Sequence, residues 1–163
     1  LVLESLLPEL QKKLNFTILN HPQLEADDII ACLTRDIQKN ESDRLIYIIT
    51  NDHDYLQLLN PMTTIINLKN KKLNDISCGN PEHDLLLKII CGDPADNIKG
   101  CFKRCGKKTA MKLINNKDLL DKKFKENPES KLIFEHNKRL ISFESIPEDL
   151  RLSIIKIFKT YFQ

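Results

Sequence analysis

Three short acidic clusters, each bordered by apolar residues, constrain this 163-residue chain more than any other feature. The clusters span residues 25–28, 52–54 and 93–96, and together they contain seven carboxylates. Neighbouring apolar residues, such as Ile29 and Ile30, place these acids at the edge of a core. Carboxylates held together there repel one another, and the arrangement is costly unless cations bind between them. Because hard divalent ions prefer oxygen ligands, the pattern predicts a site for Mg²⁺ or Mn²⁺.

The spacing of apolar residues predicts an α/β fold followed by a helical region. Leucines at helical spacing predict a helix over residues 1–14, and another helix continues from the first acidic cluster. Apolar runs at 16–19, 45–49 and 63–68 predict strands, of which the second is expected to be buried on both faces. Strands alternating with helices indicate a parallel sheet. Further helices are expected at 84–91, 107–115, 118–125, 132–140 and 148–161.

The change to a purely helical pattern suggests two parts. We expect an α/β core over residues 1–80 and a helical subdomain over residues 81–163. The five cysteines lack paired spacing, which predicts reduced thiols in an intracellular protein. No apolar run has the length needed to cross a bilayer, so no membrane association is expected.

The predicted sheet brings the first two acidic clusters to one edge. Residues 52–54 follow the strand at 45–49, and residues 25–28 follow the strand at 16–19. Ligands of parallel α/β sheets bind outside the carboxyl ends of the strands. Each cluster alone has a structural explanation, since acids also cap helices and residues 93–96 could form a turn. Three such clusters in one small domain favour metal binding.

Charge is distributed unevenly although the net charge is only +2. Residues 25–54 carry eight acids and three bases, whereas residues 99–125 carry ten bases and two acids. An acidic centre beside a basic flank suits an enzyme that holds metal at one place and a polyanion at another. A pair of solvated helix faces would give the same asymmetry.

The basic flank contains two glycines that bracket a short turn before a helix. Backbone N–H groups at such a helix start can hold a phosphate, and the neighbouring cations add to the attraction. This is the arrangement of a helix-hairpin-helix, which binds nucleic-acid backbones, although a helix C-cap glycine followed by a basic surface helix has the same pattern. The residues predicted to bind nucleic acid are Gly100, Lys103, Arg104, Gly106, Lys107, Lys108 and Thr109.

Four motifs in order resemble the 5′-nuclease family, which includes the 5′→3′ exonuclease domain of bacterial DNA polymerase I, flap endonucleases, and phage exonucleases and ribonucleases H. The motifs are Leu-Glu-Ala-Asp-Asp-Ile-Ile-Ala (24–31), Ile-Thr-Asn-Asp-His-Asp-Tyr-Leu-Gln-Leu (49–58), Gly-Asp-Pro-Ala-Asp-Asn-Ile-Lys-Gly (92–100) and Gly-Lys-Lys-Thr-Ala (106–110). The resemblance implies a PIN-like parallel sheet flanked by helices. It also implies a helical subdomain with the family's helix-hairpin-helix (H3TH) motif.

The resemblance assigns roles to the acids, with Asp52 and Asp54 as the catalytic pair. It implies two Mg²⁺ or Mn²⁺ ions, one generating hydroxide and the other stabilising the leaving oxygen. Members of the family often hold a K⁺ ion at the hairpin as well. The implied first metal set is Glu25, Asp27, Asp28 and Asp52, and the second set is Asp54, Asp93 and Asp96, with Asp52 as a bridge.

The implied function is a structure-specific 5′-nuclease that acts as a monomer on DNA with a 5′ flap, a nick or an RNA primer, in replication or repair. The family's first strand with its Asp, a second Asp and the helical arch are absent from this chain. We therefore expect the C-terminal portion of the nuclease core, with weakened metal binding and little or no cleavage. The alternative is a non-catalytic nucleic-acid-binding module that retains the fold. A Mg²⁺-dependent phosphatase would leave the basic flank unexplained.

Overall fold

The computed structural model describes residues 2–14 and 16–161. Its fold is a two-stranded parallel sheet surrounded by helices. Strands β1 (Ile46–Ile49) and β2 (Thr63–Ile66) pair in parallel, with Ile46 opposite Thr63. Short 3₁₀ helices span Asp54–Leu58, Leu73–Ile76 and Phe143–Ser145. The α-helices in the described part are α1 (Val2–Leu14), α2 (Ala26–Asn40), α3 (Pro81–Cys91), α4 (Lys107–Ile114), α5 (Lys117–Glu126), α6 (Pro128–Ile141) and α7 (Glu148–Lys159).

The helix starts follow from local capping chemistry. Asn80 caps α3, because its side-chain oxygen accepts the N–H groups of Glu82 and His83 at 2.9 and 3.2 Å. Pro81 occupies the first helical position, where its missing N–H costs nothing. The helix ends at Gly92, whose φ of +73° is readily adopted by glycine. The five helices predicted after residue 80 are confirmed, with ends that differ by a few residues.

The predicted strand at 16–19 is wrong. These residues lie half-buried in irregular backbone, and the nearest pairing is an isolated bridge between His21 and Leu24. The apolar run that suggested a strand is explained by packing instead, since Leu19 packs against the hydrophobic core. A side chain can reach a core without its backbone joining a sheet, and periodicity cannot separate the two cases over four residues.

The prediction that β1 is buried on both faces is also wrong. Ile48 is 4% exposed, but Tyr47 and Ile49 on the opposite face are 62% and 68% exposed. The alternation arises because successive side chains of a strand point to opposite faces. Within the described residues, only the Ile48 face is covered.

The core joins the sheet to helices from both ends of the chain. Ile29 of α2, Ile48 of β1, Ile65 of β2 and Ile154 of α7 belong to one buried cluster. Because α7 lies far beyond residue 80 yet contributes to this cluster, the two predicted parts share a core, and the boundary near residue 80 stays a prediction. All five cysteines are free. No helix within the described ranges is long and apolar enough to span a membrane.

Candidate metal centre and basic segment

The second acidic cluster follows β1 directly, and local hydrogen bonds shape its turn. Thr50 Oγ1 accepts the N–H of Asp52 at 3.0 Å, and Asp52 Oδ1 accepts the N–H of Asp54 at 2.9 Å. Side chains that accept N–H groups two residues further on stabilise such turns. The turn leads into the 3₁₀ helix Asp54–Leu58, so both acids lie at the carboxyl end of β1, as predicted.

Lys88 of α3 lies between three of the predicted metal ligands. Its Nζ contacts Asp54 Oδ1 directly and lies 2.7 Å from Asp93 Oδ2 and 3.9 Å from Asp96 Oδ2. The side chains of Lys88 and Asp54 are only 19% and 15% exposed. The structure therefore brings the predicted second metal set together, around an ammonium group. Lys88 was not among the predicted site residues, because a single lysine within the apolar run of residues 85–90 also fits the solvent-facing side of an amphipathic helix.

These groups alter one another's pKa. Burial raises the pKa of Asp54, against the opposing effect of the hydrogen bond from Lys88. The hydrogen bond from Lys88 lowers the pKa of Asp93. Burial disfavours the charged form of Lys88, but its bonds to Asp54 and Asp93 outweigh this and raise its pKa. Lys88 is therefore a permanent cation near neutral pH.

The first acidic cluster begins α2 and is partly occupied by capping. Asp28 Oδ2 accepts the N–H of Glu25 at 3.2 Å, and Asp27 Oδ1 accepts the N–H of Asp28 at 2.9 Å. Burial raises the pKa of Asp28, and the neighbouring charge of Asp27 adds to the effect. Glu25 and Asp28 form a capping box at the start of α2. Helix capping, the alternative to metal binding for this cluster, is therefore present in the structure.

Helix α2, which starts in the first acidic cluster, contacts the 3₁₀ helix Asp54–Leu58, which starts in the second. Burial raises the pKa of Tyr55 to about 12, and the charges of Asp27, Asp52, Asp28 and Asp54 add to the shift. Carboxylates from two segments that are distant in sequence thus act on the pKa of one buried ring. Even so, no three His, Cys, Asp or Glu side chains within residues 2–14 and 16–161 are arranged to hold a metal ion. The donor chemistry still suits a hard divalent ion, because every predicted ligand offers carboxylate oxygen.

One cleft connects the acids to the basic segment, which is the basic flank at residues 99–125. Its volume is about 740 Å³, and its walls include Asp52, Asp54, Lys88, Asp93 and Lys107. Lys107 is the first residue of α4, and Gly106 is its N-cap. A phosphodiester held near Lys107 would therefore face the same opening as the carboxylates.

The third acidic cluster is a turn that leads into the basic segment. The main chains of Asp93 and Ile98 exchange two hydrogen bonds, of 2.9 and 2.7 Å, which close the turn. In the part of the chain that the structure describes, the basic residues of the predicted nucleic-acid-binding set form no ion pair within 4 Å. Their charge therefore faces solvent. Gly100 is half-buried, and the exposed residues of the predicted set are Lys103, Arg104, Gly106, Lys107, Lys108 and Thr109.

Sequence comparison connects this geometry to known proteins. Residues 4–81 match the family described as the 5′-3′ exonuclease, N-terminal resolvase-like domain. A 5′-3′ exonuclease of Mycoplasmopsis pulmonis is 35% identical over 125 residues, which are 72% of this chain and 40% of that protein. A 5′-3′ exonuclease of Buchnera aphidicola is 35% identical over 116 residues, 66% of this chain and 38% of its own length. The chain belongs to the 5′-nuclease family.

The thermostable DNA polymerase I of Thermus thermophilus is a further relative of this 5′-nuclease chain, 31% identical over 68% of the chain and 13% of the polymerase. The chain thus spans less than half the length of each curated relative described here.

Solved structures share the 5′-nuclease fold of this chain. A mutant of the T5 5′-exonuclease has a TM-score of 0.71 and 22% identity, covering 91% of this chain and 70% of its own. A bacteriophage T5 flap endonuclease, solved in a complex with DNA and metal ions, has a TM-score of 0.71 and 21% identity, covering 95% of this chain and 66% of its own. The mixed α/β fold with a small parallel sheet is therefore confirmed.

Proposed function

We propose that the nuclease containing this chain hydrolyses phosphodiester bonds of DNA with a 5′ flap, a nick or an RNA primer, using two divalent metal ions. The observation that carries the proposal is the convergence of Asp54, Asp93 and Asp96 on one cation. Acids about 40 residues apart in sequence meet there, in a cleft that also contains Asp52 and Lys107. Two T5 relatives support it, one a flap endonuclease complex with DNA and metal ions and the other a 5′-exonuclease with bound zinc.

In this proposal the acids bind the metal ions and the lysine attracts the phosphate. The first metal set would be held by the acids at the start of α2 together with Asp52, and the second by Asp54, Asp93 and Asp96. When bound, Mg²⁺ or Mn²⁺ supplies hydroxide near neutral pH and stabilises the charge that develops on the phosphate oxygens. In the metal-free chain Lys88 is held at the cleft wall by Asp54 and Asp93, and a metal ion bound to those carboxylates would displace its ammonium group toward the cleft, where it would attract the phosphate.

Metal removal tests the catalytic part of the proposal. The complete nuclease is expected to cleave a labelled 5′-flap duplex in Mg²⁺ and to lose that activity in EDTA, because the proposed nucleophile depends on a bound ion. Products are resolved on a denaturing gel, and Mn²⁺ added in excess over EDTA should restore them. Cleavage that continues unchanged in EDTA would rule out the metal mechanism.

A second candidate is the non-catalytic nucleic-acid-binding module. The observation that favours it is the position of Lys88, whose ammonium lies where the second metal set converges. A Mn²⁺ titration followed by electron paramagnetic resonance separates the candidates. Two bound Mn²⁺ ions per protein favour the nuclease, whereas duplex binding that is indifferent to divalent ions favours the module.

The basic segment yields a prediction about salt. Replacing Lys107 and Lys108 together by Ala should weaken duplex binding and make log K less steep against log[salt], by about 0.9 for each lost phosphate contact. Fluorescence anisotropy of a labelled duplex at several salt concentrations measures the slope. The matched control is the exposed adjacent pair Lys12 and Lys13 in the last turn of α1, which changes net charge equally. Equal slopes for both double variants would show a non-specific charge effect.

A further inference from the structure

The end of α3 and the start of the basic segment are joined by a tight main-chain seam, formed by residues 89–92 and 98–101. Cys101 N–H donates to the carbonyl oxygen of Ile90 at 2.9 Å. A Cβ on Gly92 would lie 2.5 Å from the Gly100 nitrogen, and a Cβ on Gly100 would lie 2.6 Å from the Cys91 oxygen. The two glycines thus permit a backbone approach that a side chain would prevent.

Asn137 of α6 binds both segments of this seam through its side chain. Its side chain is 1% exposed, and its Nδ2 donates to the carbonyl oxygens of Ile89 at 2.9 Å and Lys99 at 2.7 Å. One amide group therefore uses both of its hydrogens to join the last turn of α3 to the residue that begins the basic segment. A buried carbonyl without such a donor is unfavourable, so the two bonds fix the spacing of the two segments.

The seam lies between the two functional parts of the molecule. Lys88 and Asp93 flank its first segment, and Lys99 lies within its second, a few residues before Lys103 and Arg104. A displacement along the seam would therefore move the acidic centre relative to the basic segment.

We propose that Asn137 is a positioning residue that sets the register between the acidic centre and the basic segment, and so determines which phosphodiester is cut. The inference rests on the proposed nuclease function. A duplex held by the basic segment presents one bond to the carboxylates, and a shift of the seam would present its neighbours as well. A misplacement of about 1 Å at a reacting centre can slow chemistry by about 100-fold.

The cut position of Asn137→Ala tests this register. On an end-labelled 5′-flap duplex, the wild-type nuclease should give one main product. Asn137→Ala should spread cleavage over adjacent bonds, with kcat lower by roughly 10- to 100-fold and KM nearly unchanged. The ratio of products does not depend on how much protein is folded, so instability alone cannot produce the shift. The matched control is Ser130→Ala, because Ser130 is also 1% exposed on α6 and its hydroxyl has no hydrogen-bond partner in the described structure.

A second measurement keeps the register testable without cleavage. Amide hydrogen exchange of Ile98 and Cys101 should accelerate on the order of tenfold in Asn137→Ala and stay unchanged in Ser130→Ala. If Asn137→Ala does not fold, Asn137→Leu fills a similar volume without the donor group and is expected to show both effects. Wild-type exchange rates at the seam, or an unaltered cut position and kcat in a folded variant, would overturn the inference. A further outcome separates the two proposals. If the wild-type nuclease cuts no flap, the proposed function is contradicted. If amide exchange at the seam is still faster in Asn137→Ala than in the wild type, the role of Asn137 in holding the seam remains supported.

Discussion

Asp52→Ala is expected to abolish cleavage of a 5′-flap duplex by the nuclease that contains this chain, with a loss of about 1,000-fold or more in kcat. Asp52 lies at the end of β1, in the cleft that Asp54, Lys88 and Asp93 also line. It is the acid proposed to bridge both metal sets, so its removal would weaken both ions together. Single-turnover cleavage of a labelled flap measures the loss without interference from product release.

The control for this variant removes one negative charge elsewhere. Asp43 is exposed in the turn before β1 and belongs to none of the three acidic clusters, so Asp43→Ala should cleave within about twofold of the wild type. Circular dichroism and thermal melting establish that both variants fold. Wild-type cleavage by a folded Asp52→Ala protein would contradict the proposed metal sets.

The sequence was sufficient to place the second acidic cluster at a strand end, whereas the same placement of residues 25–28 relied on a strand at 16–19 that does not form. An acid pair two to five residues after a buried apolar run must lie near the carboxyl end of a strand, and Asp52 and Asp54 do. The helices after residue 80 were also predictable, since caps such as Asn80 and a terminal glycine such as Gly92 are local signals. The strand at 16–19 failed because a four-residue apolar run fits a half-buried irregular segment equally well.

Two residues of the site could not be predicted from motifs, for different physical reasons. Asn137 acts on main-chain carbonyls 48 and 38 residues away, and main-chain groups carry no sequence signature. Lys88 would pass for a solvent-facing residue of an amphipathic helix, because periodicity shows where apolar residues recur and not what a charged residue between them meets. Only the packing of α3 against the 3₁₀ helix Asp54–Leu58 reveals that Lys88 meets three carboxylates.

Replacing Lys88 by Met should lower the free energy of unfolding of the metal-free chain by about 3–5 kcal/mol. The change removes a cation that is 19% exposed and leaves Asp54, 15% exposed, beside Asp93 without a compensating charge. Met retains most of the apolar stem, so the loss reports the charge rather than a cavity. Urea unfolding in EDTA measures it. The control is Lys122→Met, whose ion pair with Glu126 is 72% and 59% exposed and should contribute less than about 1 kcal/mol.

Adding Mn²⁺ to the same variant distinguishes the two candidate functions. If the carboxylates around Lys88 bind divalent ions, Mn²⁺ at about 100 times its Kd should restore roughly 2.7 kcal/mol to Lys88→Met. It should stabilise the wild type less, because the ammonium competes for the same oxygens. Lys122→Met should respond to Mn²⁺ as the wild type does. A Lys88→Met protein that is destabilised in EDTA and stays so in Mn²⁺ would show that these acids require only the lysine. In that case the second metal set would be excluded, and the non-catalytic nucleic-acid-binding module would become the better account of the acidic centre.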